Sequence, residues 1–152
     1  MSMQAKTHRP PASNAGRVAA ALFLVVALFH FGLMAGAPWG EASLGGAYAG
    51  VLPDTLRIGS IVSLAFYVLL AAVAGTSWTG STLRRRVLYG AALLMVVGAL
   101  LNIASPSFIE RIIWAPVTVA LVIALWHAAR HSSLARVTEA IPRLAPLPGT
   151  GE

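Results

Sequence analysis

Four long apolar stretches, roughly Val18 to Gly36, Ile58 to Gly75, Val87 to Ala104 and Ile112 to Ala129, alternate with short polar breaks along this chain. Each is near the roughly 20 residues that an α-helix needs to cross about 30 Å of hydrocarbon. A soluble amphipathic helix would carry charge on one face every third or fourth position, yet the first three stretches contain no charged residue. The pattern predicts an all-α, polytopic membrane protein with four transmembrane helices, over 16–36, 55–75, 84–104 and 107–129, in an antiparallel bundle. A loop over 37–54 and tails over 1–15 and 130–152 complete the expected layout, with a short helix around Ser133 to Ile141 in the second tail.

Composition agrees: 57% of residues are hydrophobic and 11% charged, as in membrane proteins. At 152 residues there is room for one bundle and two tails. Charge then supplies an orientation, because cytoplasmic loops retain the excess of Lys and Arg. Lys6, Arg9 and Arg17 precede the first stretch, Arg84, Arg85 and Arg86 stand between the second and third, and Arg130, Arg136 and Arg143 follow the fourth. All nine fall on one side, against only Arg57 and Arg111 on the other, where Glu41, Asp54 and Glu110 oppose them. Both termini are therefore expected in the cytoplasm, and the net charge of +6 reads as a topology signal matched to an anionic leaflet. A nucleic-acid surface would interleave aromatic with basic residues, and no such pattern occurs.

Trp39 and Trp114 fall at outer helix ends and Trp78 and Trp126 at inner ends, so all four are expected to be interfacial belt residues. Ala35-Gly36-Ala37 imitates a secretory cleavage site, but the apolar run before it exceeds the usual 7–15-residue signal core and contains His30, so retention of the first helix is expected. Cysteine is absent, which excludes disulfides, thiolate metal sites and thiol redox chemistry, including that of four-helix quinone-linked thiol oxidoreductases.

The break from Ala37 to Arg57 is rich in glycine and small residues and carries only two carboxylates, too few for a free aqueous loop. It is expected to fold down on the outer helix ends, with Pro53 closing it and Asp54 capping helix two.

Polar groups in hydrocarbon are costly and hence informative. Counting 1.5 Å per residue from the flanking arginines puts His30 ~20 Å and Asn102 ~24 Å from the inner surface, with Ser63 and Thr118 ~10 Å below the outer one. An outward-facing polar pocket follows as one expectation, lined by His30, Ser63, Asn102, Glu110, Arg111 and Thr118 and closed by the loop with Glu41 and Arg57. Structural roles compete with it. Ser107 to Glu110 has the form of a capping box, Arg111 can snorkel, and His30 can be satisfied by Asn102 or Ser63. Ala91, Gly98 and Asn102 form a small-residue stripe that turns Asn102 inward, while Gly32 and Gly36 make a GxxxG pair suited to dimerisation or to internal packing. Pro116 removes a bond to the Ile112 carbonyl and should bend helix four. His8, His127 and His131 are not at the depth of His30, so no metal site is expected.

No H-E-x-x-H, G-x-S-x-G, P-loop or G-x-G-x-x-G occurs, and Ser63 with His30 lacks the activating turn and oxyanion hole of a hydrolase. Neither catalysis nor a cofactor is expected.

Pro38-Trp39-Gly40-Glu41 with Gly45-Gly46, then Leu52-Pro53, Leu56-Arg57 and Ser60, then Asn102, Ser105, Ser107, Glu110-Arg111, Trp114 and Pro116 resemble a family of small bacterial four-helix membrane proteins with no established activity. The resemblance covers roughly residues 18–128 and implies architecture and a bacterial plasma membrane only. Small multidrug-resistance transporters share the size and helix count but carry an acidic residue within helix one, which this chain lacks. Two functions are left: a non-catalytic accessory or scaffold that binds lipid or another membrane protein through its outer loops, or a small homo-oligomeric permease using the polar pocket.

Overall fold

The computed structural model describes residues 12–77 and 79–144. It is all-helical, with α1 (Asn14–Ala35), α2 (Asp54–Gly75), α3 (Ser81–Ile103) and α4 (Phe108–Leu144), and two single turns of 3-10 helix at Gly40–Ala42 and Leu44–Gly46. All four α-helices are long and apolar enough to cross a membrane. Apolar side chains such as Val62, Leu93, Leu101 and Leu28 stand exposed on their outward faces, as contact with lipid rather than water requires.

Packing is pairwise. α1 lies along α2 and α3 along α4, the two hairpins meet along α1 and α4, and α2 and α3 scarcely touch. The core fills the half of the bundle nearer the termini. There Ala19, Ala71, Ala74, Ala91, Ala92, Ala124, Ala128 and Ala129 let the backbones approach around Phe23, Leu88 and Leu125. Small residues permit that approach, and dispersion contacts then hold the helices together where lipid supplies no hydrophobic drive. Toward the other end, which carries the 37–53 loop, Phe29, His30, Tyr67 and Trp114 replace alanine and hold the hairpins apart.

An arginine closes each inter-helix joint. The last carbonyls of a helix have no intrahelical donor. Arg57 Nε and Nη2 donate to the Met34 carbonyl at 3.0 and 2.7 Å, Arg84 Nε and Nη2 to Val73 and Ala74 at 3.2 and 2.7 Å, and Arg111 Nη1 to Ser105, in the turn after α3, at 3.3 Å. These are the fourth residues of α2, α3 and α4, one turn in, where a long side chain reaches back across the joint. Arg17 holds the same place in α1, follows no described helix, and is exposed.

Several boundaries differ from those read off the sequence. α3 begins at Ser81 behind Gly80, so Arg84 to Arg86 lie within its first turns, and Arg84 is only 6% exposed. α4 does not stop at residue 129 to leave a separate helix over 133–141. It runs 37 residues to Leu144, about 55 Å at 1.5 Å per residue, because no glycine or proline interrupts it between Pro116 and Pro142. Asp54 does not cap α2, since its carboxylate is taken by Arg57 Nη1 at 2.9 Å and Pro53 precedes the helix without a side-chain cap. α4 continues through Pro116, and in the next turn the Thr118 hydroxyl donates to the Trp114 carbonyl at 2.7 Å. The tail residues 1–11 and 145–152, and the interfacial place expected for Trp78, lie outside the described residues.

Candidate functional site

The 37–53 loop is fastened to the start of α4. Gly36 ends α1 in the left-handed conformation at φ 90°, a geometry that glycine adopts without strain, and turns the chain back over the helix end. The Trp39 ring then lies on α1 where Gly32 has no side chain, stacked on Phe29 at 6.0 Å between centroids; a Cβ at Gly32 would collide with it. Gly32 thus seats a ring of its own chain, the internal-packing use of the GxxxG pair.

From there the loop meets α4. Trp114 Nε1 donates to the Ala42 carbonyl at 2.8 Å, and the Ser107 hydroxyl donates to the Glu41 carbonyl at 2.6 Å. Glu110 Oε2 accepts from the Gly45 amide at 2.8 Å and from the Ser105 hydroxyl at 2.6 Å. The expected capping box is half made: Ser107 Oγ accepts from the Glu110 amide at 3.2 Å, but the Glu110 carboxylate turns away to the loop, and the Ser107 amide uses Ser105 Oγ instead. Trp114 is half-buried and holds the loop, a role beyond the belt position expected for it. Trp126 is exposed at the terminal end with the Arg130 guanidinium 5.3 Å above its ring, as interfacial depth allows. Trp114→Phe keeps the ring and removes the bond to Ala42, and is expected to cost about 1 kcal/mol. Its measurable sign is faster proteolysis between residues 42 and 49, and an unchanged cleavage rate would show that the bond does not hold the loop.

Beneath the loop, where the hairpins part, lies a cavity of about 310 Å³. His30 and Phe29 of α1, Tyr67 of α2, Gly98 and Asn102 of α3, and Glu110, Trp114 and Thr118 of α4 line it, with Ser43 and Leu44 above. Val26, Met95 and Leu121 form its floor, on top of the alanine-rich core. Tyr67 is the only described α2 residue in the lining, and α2 and α3 barely meet, so the wall between them is thin.

His30 stacks on Tyr67 with centroids 5.5 Å apart and meets Phe29 edge-on at 5.7 Å. Its Nδ1 is buried and has no hydrogen-bond partner among the described residues. Asn102 Nδ2 donates to Thr118 Oγ1 at 3.5 Å, and that hydroxyl donates in turn to the Trp114 carbonyl at 2.7 Å.

Of the eight pocket residues expected from sequence, the structure gathers His30, Asn102, Glu110 and Thr118. The other four are elsewhere. Ser63 is half-buried but outside the lining, Arg57 is turned to the Met34 carbonyl of α1, and Arg111 to the Ser105 carbonyl in the turn after α3. Glu41 borders a separate, more open groove of about 410 Å³ with Pro38, Trp39, Ile109 and Ile113. The expected bond from His30 to Asn102 or Ser63 is not made. Depth along a helix was legible from counting residues, but the direction each group faces was not.

Sequence reasoning missed Tyr67, Phe29 and Trp114 as lining residues. Their signal was weak, since aromatic residues in apolar helices are ordinary packing. Gly98 does line the cavity, and a Cβ there would rest 3.9 Å from the Thr118 methyl, an ordinary contact.

Compared with family models, curated proteins and solved structures, the chain matches none.

Proposed function

We propose that this chain is a non-catalytic accessory component of a bacterial cytoplasmic membrane, with both termini on the cytoplasmic side and the 37–53 loop presented outside to another membrane protein. The observation that carries this reading is how the loop-end polar groups are used. Glu110, Ser105, Ser107 and the Trp114 indole are engaged in fixing a loop, and the result is a preformed surface rather than a set of reactive groups. Trp39, Leu44, Tyr48 and Val51 are exposed on that surface, aromatic and apolar side chains of the kind that serve as contact anchors. Orientation rests on the Lys and Arg excess at the terminal end, against only Arg57 and Arg111 at the other.

The test is a photoreactive residue in place of Tyr48, compared with one in place of Val97 on the exposed side of α3. Protein adducts of one discrete mass from position 48 alone, lost when Trp39 is changed to alanine, are the expected result. Lipid adducts alone from both positions would overturn the reading.

The cavity favours a second reading, a permease acting as a homo-oligomer. Phe23, Leu88, Leu121 and Leu125 are fully buried below the cavity, so a single copy is closed toward the terminal end. Transport on this reading needs the alanine-rich seam to open, and flux into proteoliposomes separates the two.

A further inference from the structure

We propose that the cavity beneath the loop binds an organic ammonium ion with an apolar body, such as an aryl-alkyl amine. This goes beyond the accessory reading and stands whether or not a protein partner exists.

The charge around the cavity selects the sign of the ligand. Glu110 is the single ionisable acid in its lining, and no Lys or Arg contributes to it. The two arginines at this end of the bundle are committed to the Met34 and Ser105 carbonyls. A phosphate, sulfate or carboxylate would meet one negative charge and no compensating cation, a costly arrangement away from water. A cation meets the carboxylate and the aromatic residues Phe29, Tyr67 and Trp114, whose ring faces attract positive charge.

The unmet hydrogen bonds are consistent with a cation. Glu110 uses Oε2 for Gly45 and Ser105, and no described residue donates to Oε1. Asn102 Oδ1 likewise accepts from no described residue, and buried His30 Nδ1 has no partner. The N–H groups of an ammonium can be accepted by Glu110 Oε1 and Asn102 Oδ1, and the Tyr67 and Ser43 hydroxyls also face the cavity, so the charge of Glu110 rather than the number of acceptors selects a cation.

Polarity also changes with depth. Glu110 stands at the loop end, Asn102 and Thr118 share a level below it, and Val26, Met95 and Leu121 make the floor. Glu110 and Leu121 are eleven residues apart on α4, which is about 16 Å along the helix. An amphiphile therefore fits with its ammonium under Ser43 and Leu44 and its apolar body pointing to the core. A volume of about 310 Å³ is at the small end of ligand pockets, which begin near 300 Å³, so the site suits one compact molecule rather than a lipid with two chains.

The experiment uses the full chain in a neutral detergent and three water-soluble probes that share one apolar body: 4-phenylbutylamine, 4-phenylbutanol and 4-phenylbutyrate, titrated by calorimetry. The amine is expected to bind at least about tenfold more tightly than the alcohol, with the carboxylate weakest, since a desolvated charge pair is worth more than one such factor. Glu110→Gln, Asn102→Leu and His30→Leu are each expected to weaken the amine by about tenfold, while Ser63→Ala, outside the lining, leaves it unchanged. Asn102→Leu and His30→Leu keep the Glu110 bonds to the loop, so a loss in those variants cannot be ascribed to a loosened loop. Equal affinity for amine and alcohol, tighter binding of the carboxylate, absence of amine binding at millimolar concentration, or indifference to all three substitutions would each overturn the proposal.

Discussion

Arg84→Leu is expected to destabilise the protein by about 3 kcal/mol, the largest effect of any single side-chain truncation in the bundle. Arg84 is 6% exposed and places Nε and Nη2 on the Val73 and Ala74 carbonyls, the last acceptors of α2. Leucine fills the space but leaves both carbonyls without these donors, inside packing that keeps water from replacing them. A charged donor to each carbonyl is worth about 1.5–3 kcal/mol, and the two losses share one site, so their sum is an upper bound. Arg84→Lys should fall between, since a single ammonium cannot span two carbonyls as a planar guanidinium does. Arg85→Leu on the same turn is expected to change stability by less than about 0.5 kcal/mol, because Arg85 is not buried. Unfolding by graded addition of a denaturing detergent measures all three. If Arg84→Leu unfolds at the same point as the wild type, the joint is held by something other than this arginine.

Gly16→Val is the second large effect, expected at about 3 kcal/mol, with Gly16→Ala at about 2 kcal/mol. A Cβ at Gly16 would stand 2.5 Å from the Ala74 carbonyl oxygen and 2.9 Å from Arg84 Nη2. One of these atoms is backbone and the other is fixed by its own hydrogen bond, so neither yields cheaply. The substitution therefore separates α1 from α2 and strains the Arg84 joint at once. The two changes are in contact, and the double variant Gly16→Val with Arg84→Leu should cost clearly less than the sum of the singles. Gly90→Ala is the control. Nothing lies within 4 Å of a Cβ there, and it should be neutral or raise stability by up to about 1 kcal/mol through helix propensity alone. If Gly16→Ala behaves like Gly90→Ala, the close approach of α1 to α2 is not needed for stability.

These two effects illustrate how the sequence can be read and misread. Asp54-Thr55-Leu56-Arg57 and Ser81-Thr82-Leu83-Arg84 are near-repeats, and Arg111 follows at the same interval along the chain. Counting Arg84 with its neighbours as a topology charge hid that repeat, and treating Arg57 and Arg111 as exceptions hid it again. The repeated position carries one job, reaching back from the first turn of a helix to a carbonyl at the end of the helix before it or, for Arg111, in the turn just after it. Ser107 was legible as the cap of α4 because its spacing to Glu110 is local, whereas the turn of the Glu110 carboxylate toward the loop was not. The partner of that carboxylate, Gly45, is 65 positions away.

Four membrane-length helices and their antiparallel order were determined by sequence alone, because an apolar run of about 20 residues has no other stable state in a bilayer and short breaks force neighbours to run in opposite directions. Which groups lie deep was also fixed by the chain, since depth is residue count multiplied by a constant rise. Which of them face one another was decided only by packing. Alanines on all four helices close one end of the bundle while Phe29, His30, Tyr67 and Trp114 hold the other apart, so the cavity results from four faces meeting and from no single one of them. Rotation of a helix about its axis is set by contacts far apart in sequence, and so Ser63 falls outside the cavity and His30 within it at depths that sequence counted alike.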